Sequence, residues 1–253
     1  MKLSKAIKIQ SIKKVSTIQS KENGFVLYEG ESRLDSSQDI VAIITKKTTN
    51  KKIGDMYQLW ILNKDINPLE ASKLKKDNAI CGDCKLRQSM GGACYVVIFQ
   101  APNQIWKSYK RGNYKDVSLD DYSKHFTDKN IRFGAYGDPS ALPIEILAKL
   151  KAYANNNTAY THQWKSDEHQ QLKTMSMASV DNIKEAIMAK AKGWRYFRVA
   201  SSDSDILDNE IICPSVTRGT SCSDCNLCNG AKFGDKRKDI VIPAHGVRAK
   251  KFI

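Results

Sequence analysis

The sequence predicts an α/β protein of the (β/α)8 TIM-barrel-like kind, with an N-terminal β-hairpin and cysteine-rich metal-binding insertions; an open doubly wound sheet is the alternative. Three observations predict it. Short apolar runs recur from residue 94 onward, helical patterns separate several of them, and the runs are bounded by Gly, Pro and polar turns. The 253 residues, 41% hydrophobic, suffice for one well-packed domain over 1–253.

The first 20 residues, rich in Lys, Ser and Ile, read as a flexible arm or an edge strand. Gly24–Gly30 is a short strand between glycines. Ile40–Thr45 and Met56–Leu62 are strong strand patterns, and the polar stretch 46–54 between them is too short for a crossover helix. They therefore pair as an antiparallel hairpin. Further strands are expected at Cys94–Gln100, Ile131–Gly137, Thr158–Trp164, Thr174–Val180, Tyr196–Ala200, Glu210–Cys213 and Asp239–Pro243. Gln104–Tyr109 begins one helix. Pro143 opens another, with Ile144, Ile146, Leu147, Leu150 and Tyr153 at helical spacing. Asp181 caps a third, which ends near Lys190, Lys192 and Gly193.

Charge narrows the partners. Lys+Arg number 41 against 27 Asp+Glu, a net of +14, which draws the chain towards polyanions and nucleic acid above all. No apolar run approaches the roughly 18 residues of a membrane span, and the basic N-terminus lacks the apolar stretch of a secretory signal. No membrane partner is expected. Seven cysteines, five of them in C-x-x-C spacings, then read as metal ligands in a reducing cytoplasm rather than as disulfides.

The most specific signal is Cys222-x-x-Cys225-x-x-Cys228, preceded by Cys213 and followed by His245, in a metal-binding segment over 213–245. Four thiolates, or three and an imidazole, close a zinc shell. The same spacing, with Cys213 before Pro214, also matches a [4Fe–4S] cluster. Zinc is favoured because His245 offers a nitrogen ligand. Cys81, Cys84 and Cys94 form a looser second group without an obvious local fourth ligand. Lys85 and Arg87 beside it, and Lys107, Lys110 and Arg111 among aromatic residues, suit a nucleic-acid backbone and stacked bases. For the latter run, the alternative is an amphipathic helix that packs Trp106 and Tyr109 inward.

In parallel α/β folds, chemistry gathers beyond the carboxyl ends of the strands. Those ends carry Asp138, His162, Gln163, Trp164, Asp181, Ser201 and Asp203. Paired carboxylates suit nucleophilic attack and proton shuttling, with His162, Gln163, Trp164 and Ser201 as substrate contacts. Each has a structural alternative: Asp138 a turn residue, Asp181 a helix cap, His162 a structural imidazole, Trp164 a core residue and Asp203 a loop acid.

The segments ICGDCKLR, CYVVIFQAPNQIWKSYKRGNY, RFGAYGDP, YTHQW and MASVD, with the late cysteine group, resemble the guanine transglycosylase family over about residues 25–246. The likeness is to its short phage-encoded, DNA-acting branch. It implies exchange of guanine in DNA for a small 7-deazaguanine base through a covalent aspartyl–sugar intermediate, inside the host cytoplasm. It implies Asp181 as nucleophile with Asp203 as substitute, and Asp138 as the proton-handling or base-reading acid. Cys222, Cys225, Cys228 and His245 match the family's structural zinc ligands. The D-S-G-G-F-Q and G-G-L segments of the tRNA-acting members do not occur here, and their zinc motif is C-x-C-x-x-C where this one is C-x-x-C-x-x-C. The alternatives to guanine exchange are a non-catalytic, zinc-stabilised DNA-binding or replication accessory protein and an iron–sulfur enzyme.

Overall fold

The computed structural model describes residues 23–201, 206–246 and 248–252. The proposed N-terminal arm and Asp203 lie outside them. Ten strands form one sheet in the order β4-β1-β2-β3-β5-β6-β7-β8-β10-β9. These are β1 (Gly24–Glu31), β2 (Asp39–Thr45), β3 (Tyr57–Asn63), β4 (Lys115–Asp116), β5 (Asn130–Tyr136), β6 (Asn156–Thr161), β7 (Met177–Val180), β8 (Tyr196–Ala200), β9 (Glu210–Ile212) and β10 (Asp239–Pro243). β2 is antiparallel to both β1 and β3, and every other pairing is parallel. All strands but β2 therefore point their carboxyl ends to one edge.

The α/β class and the hairpin expected between 40 and 62 are present. The sheet is not closed, however: β4 and β9 are its edges. The chain is an open, mostly parallel sheet rather than a (β/α)8 barrel. Two hairpin-type connections among the first three strands replace the crossover helices that a barrel would need there.

The helices are α1 (Pro68–Lys73), α2 (Asn78–Cys81), α3 (Ala101–Lys110), α4 (Tyr122–Phe126), α5 (Ile144–Tyr153), α6 (Ile183–Ala191), α7 (Pro214–Thr217) and α8 (Cys222–Cys225). Along β5, alternation separates two environments. Phe133, paired with Ala159, packs into the core with Ile146, Leu147 and Leu150 of α5. Ala178, paired with Tyr196, packs in the same core with Ala186 and Ala189 of α6. Arg132 and Gly134 fall on the opposite face. Near Gly134 the register with β3 slips, from Gln58↔Arg132 to Trp60↔Tyr136. Gly134 (φ 75°) and Gly137 (φ 83°) take the left-handed backbone that this irregular end requires.

Several local expectations are corrected. Cys94–Gln100 is not a strand; it is a loop whose Cys94 amide donates to Leu86 O at 2.8 Å. Thr174–Val180 is a strand only from Met177, because Asp167–Thr174 winds as 3-10 helix. α6 is capped by Asn182, whose Oδ1 accepts the Glu185 amide at 2.9 Å, and not by Asp181. Glu185 reaches back to the Asp181 amide at 3.0 Å, a reciprocal arrangement that leaves the Asp181 carboxylate free of cap duty.

Several buried or looped carboxylates titrate low. Asp35 is held at about 2 by hydrogen bonds from Ser37, Gln38 and Asn78. Hydrogen bonding to Arg237 holds Asp235 well below the usual range. Burial alone would raise Glu210, but the Arg198 hydrogen bonds bring it below its ordinary value. A carboxyl whose folded pKa is depressed stabilises the fold above its unfolded pKa, and that stability is lost as pH falls through the folded value. Urea midpoints are therefore expected to stay level from neutral pH down to about 5 and to fall steadily below about 4.

Candidate active site: a cysteine-rimmed cavity

A cavity of about 270 Å³ lies at the carboxyl edge of the parallel strands. Gly134–Asp138 from β5 and its end, Tyr160 from β6 and His162 just past it, and Phe197 and Val199 from β8 line it. Both cysteine groups border it: Cys81, Cys84 and Cys94 on one side, Cys213 and Cys222 on another.

The late group is assembled from three places. Cys213 follows β9, and its amide donates to Val241 O at 2.8 Å. Ser221 caps α8, and the Cys222 and Ser223 amides donate to Lys52 O and Ile53 O at 2.8 and 3.1 Å. Asn226 takes the left-handed backbone (φ 55°) that turns the chain sharply between Cys225 and Cys228. Cys228 is docked on β6, its carbonyl accepting the Ala159 amide at 3.1 Å. All four cysteines line one small pocket of about 20 Å³. It shares Tyr160, Cys213, Ser215 and Cys222 with the larger cavity.

Burial raises the thiols of Cys213 and Cys222 and pushes Cys228 up to about 12. Without a cation these are neutral thiols; a bound metal ion would reverse that balance. Four thiols are the donor chemistry of an all-thiolate metal site, but among the described residues no group of three or more His, Cys, Asp or Glu side chains is drawn together closely enough to hold a metal ion.

Cys81 ends α2, Cys84 lies in the turn after it, and Cys94 lies in the loop, its amide donating to Leu86 O. Gly82 (φ 57°) lies so close to the Gln163 amide that a Cβ there would collide with it. Gln163 donates to Asp83 Oδ1 at 2.6 Å, which ties the turn to the end of β6. His162 Nε2 stands 3.7 Å from Cys84 Sγ and 3.4 Å from Asp181 Oδ1. Burial would lower its pKa, but the Cys84 sulfur and the Asp181 carboxylate together push it well above the usual 6.5. Both partners meet the same nitrogen, so this is not a relay in which each ring nitrogen serves a different group. His162 is a neighbour of Cys84 that the spacing of Cys81, Cys84 and Cys94 did not reveal.

The structure brings Asp138, His162 and Asp181 to one rim, as the strand-end reading expected. Asp138 accepts three hydrogen bonds there. Its Oδ1 accepts from the Ser140 amide and hydroxyl at 3.0 and 2.7 Å, and its Oδ2 accepts from the His162 amide at 2.8 Å. Asp138 thus staples the ends of β5 and β6. Trp164 is completely buried and donates to Ser179 O at 2.9 Å, a core residue rather than a stacking platform. Ser201 is exposed just past β8.

His245 is exposed, bonds Pro243 O through Nδ1 at 3.0 Å and stacks on Tyr95 at 6.0 Å. It lines the large cavity and does not line the small pocket of the four cysteines. Arg87 braces its own loop through Asp77 at 3.2 Å, leaving the exposed Lys85 as the more available cation. On α3, Trp106 and Tyr109 pack inward against the core, Trp106 Nε1 donates to Asn63 O at 3.1 Å, and Lys107, Lys110 and Arg111 stay exposed. None of these α3 cations lines the cavity.

Sequence reasoning missed Arg132, Tyr95 and Tyr160. A single cation in the apolar alternation of IRFGAYG was the available signal for Arg132. No family model, no curated protein and no solved structure matches the chain. No helix among the described residues is long and apolar enough to cross a membrane.

Proposed function

We propose that the protein is an iron–sulfur enzyme whose substrate occupies the 270 Å³ cavity, with the cluster on Cys213, Cys222, Cys225 and Cys228. One observation carries this reading: the pocket of the four cysteines shares a wall with the cavity. A metal serving only to brace the chain would have no need of that wall. His245 does not line the pocket of the four cysteines, which removes the reason for preferring zinc and leaves an all-thiolate set, to which zinc remains the alternative cofactor.

A bound cluster would supply one-electron transfer or an electrophilic iron. The chain's own residues do the rest. Tyr160 hydrogen-bonds Cys228 and closes the shared wall. His162, held between Cys84 and Asp181, keeps a proton at the opposite wall. Phe197, Val199 and Ile242 exclude water. The +14 surplus supports a nucleic-acid partner, DNA by the resemblance.

Guanine exchange is the second reading, favoured by the meeting of Asp138 and Asp181 at His162. There Asp181 would attack the sugar and a deazapurine base would replace guanine. The three donors that hold Asp138 count against a proton-handling role for it.

Anaerobic purification followed by iron, sulfide and zinc analysis tests the proposal. The expected protein is brown and carries iron and acid-labile sulfide in near-equal amounts. A colourless protein with zinc alone, or with no metal, would overturn it. Incorporation of labelled guanine into DNA, abolished in Asp181→Ala, would instead establish base exchange.

A further inference from the structure

Three arginines are buried among the described residues, and the fold treats them differently. Arg198 is gripped by Glu210 at 2.7 and 2.6 Å. Arg195 lies 3.9 and 4.0 Å from Asp235 and Asp239 and also donates to two carbonyls. Arg132, only 9% exposed, has no carboxylate of the described residues within ion-pair distance. Its contacts are the Tyr95 hydroxyl, which accepts from a terminal nitrogen at 2.5 Å, and the Tyr160 ring at 5.9 Å. Its Nε is buried with no hydrogen-bond partner.

A guanidinium does not lose its charge in a protein, and leaving one buried and unpaired costs several kcal/mol. Folding alone gives no return for that cost. Arg132 lines the large cavity, whose neighbouring walls are apolar at Ala135, Phe197, Val199 and Ile242. A guanidinium at the wall of an apolar chamber is a group suited to hold an oxyanion by charge and hydrogen bonding.

We propose that Arg132 anchors the oxyanion head, phosphate or carboxylate, of an organic molecule whose apolar or aromatic body fills the cavity. The inference rests on the cavity being the working site and names the chemical class of what enters it. Tyr95 sets the plane of the guanidinium through its hydroxyl. The competing use of the charge is as counter-ion to Cys222, on which Arg132 also acts.

The test is calorimetric titration of the full chain at low ionic strength with adenosine 5′-monophosphate, inorganic phosphate and hexanoate. Metal content is measured on the same samples. The wild type is expected to bind adenosine 5′-monophosphate or hexanoate saturably at one site; which of them binds distinguishes a phosphate from a carboxylate head. Inorganic phosphate binding would show that the head alone suffices.

Arg132→Gln is expected to weaken that binding at least tenfold, Arg132→Lys to restore part of it, and the thermal midpoint of the Gln variant to hold or rise. Tyr95→Phe, which keeps the charge and the ring, is expected to weaken the same probe several-fold and serves if Arg132→Gln does not fold. No saturable binding of any probe, or undiminished binding in the variants, overturns the proposal. Undiminished binding with loss of metal in Arg132→Gln assigns the arginine to Cys222 instead. Anion binding that depends on Arg132 in a metal-free protein would overturn the iron–sulfur reading and leave this one standing.

Discussion

Replacing Cys228 with serine is expected to remove the metal from the late cysteine group and to lower the thermal midpoint by about 10 °C. Cys228 sits where the metal segment meets the sheet: its carbonyl accepts from Ala159 of β6, and its sulfur meets the Tyr160 hydroxyl. Burial pushes the thiol up to about 12, so a metal ion binding there must displace the thiol proton. Metal held in such a site contributes folding free energy directly, on the order of 10 kcal/mol in small metal-dependent domains. Here the sheet supplies most of the stability, so a loss of about 3–5 kcal/mol is the expected scale, at roughly 2–4 °C per kcal/mol. Iron analysis and thermal melts of Cys228→Ser check this directly. Cys94→Ser, on the other wall, is the control and should keep the metal of the late group. An unchanged iron content in Cys228→Ser would remove this cysteine from the ligand set.

Glu210→Ala carries the second large effect, on stability alone. Glu210 and Arg198 are 3% exposed each and are joined by two hydrogen bonds of 2.7 and 2.6 Å. Glu210 also accepts the Leu207 amide at 2.9 Å, fixing the approach to β9. Truncating it leaves a guanidinium buried without its carboxylate, at a cost of about 3–5 kcal/mol. Urea denaturation should show that loss. The double variant Arg198→Met, Glu210→Leu should recover most of it, because an apolar pair of similar volume avoids the desolvation of both charges. A Glu210→Ala variant as stable as the wild type would mean that water reaches the pair.

Much of the fold was legible because its signals are local. The alternation of β2 and β3 with a short polar connection specified their antiparallel pairing, and Pro143 and the 183–191 pattern specified two helices. Closure was not legible: whether β4 and β9 remain edges depends on long-range pairing that no window of sequence contains. Cys94–Gln100 shows the limit of composition, since β-branched and aromatic residues there line a loop over the cavity instead of joining the ladder.

The candidate site divides in the same way. The cysteine spacings located two clusters, and the strand ends located Asp138, His162 and Asp181. Local pattern could not tell that Asp138 accepts hydrogen bonds from Ser140 and His162, or that Trp164 points into the core. Nor could spacing bring His162 to Cys84 across 78 positions, a contact that only the neighbouring ends of β6 and the α2 turn create.

The most direct measurement is an anomalous difference map at the iron edge, from crystals grown without oxygen. The strongest peak is predicted among the sulfurs of Cys213, Cys222, Cys225 and Cys228, against the wall shared with the cavity. A peak there only at the zinc edge, or no peak within reach of those four sulfurs, would contradict it.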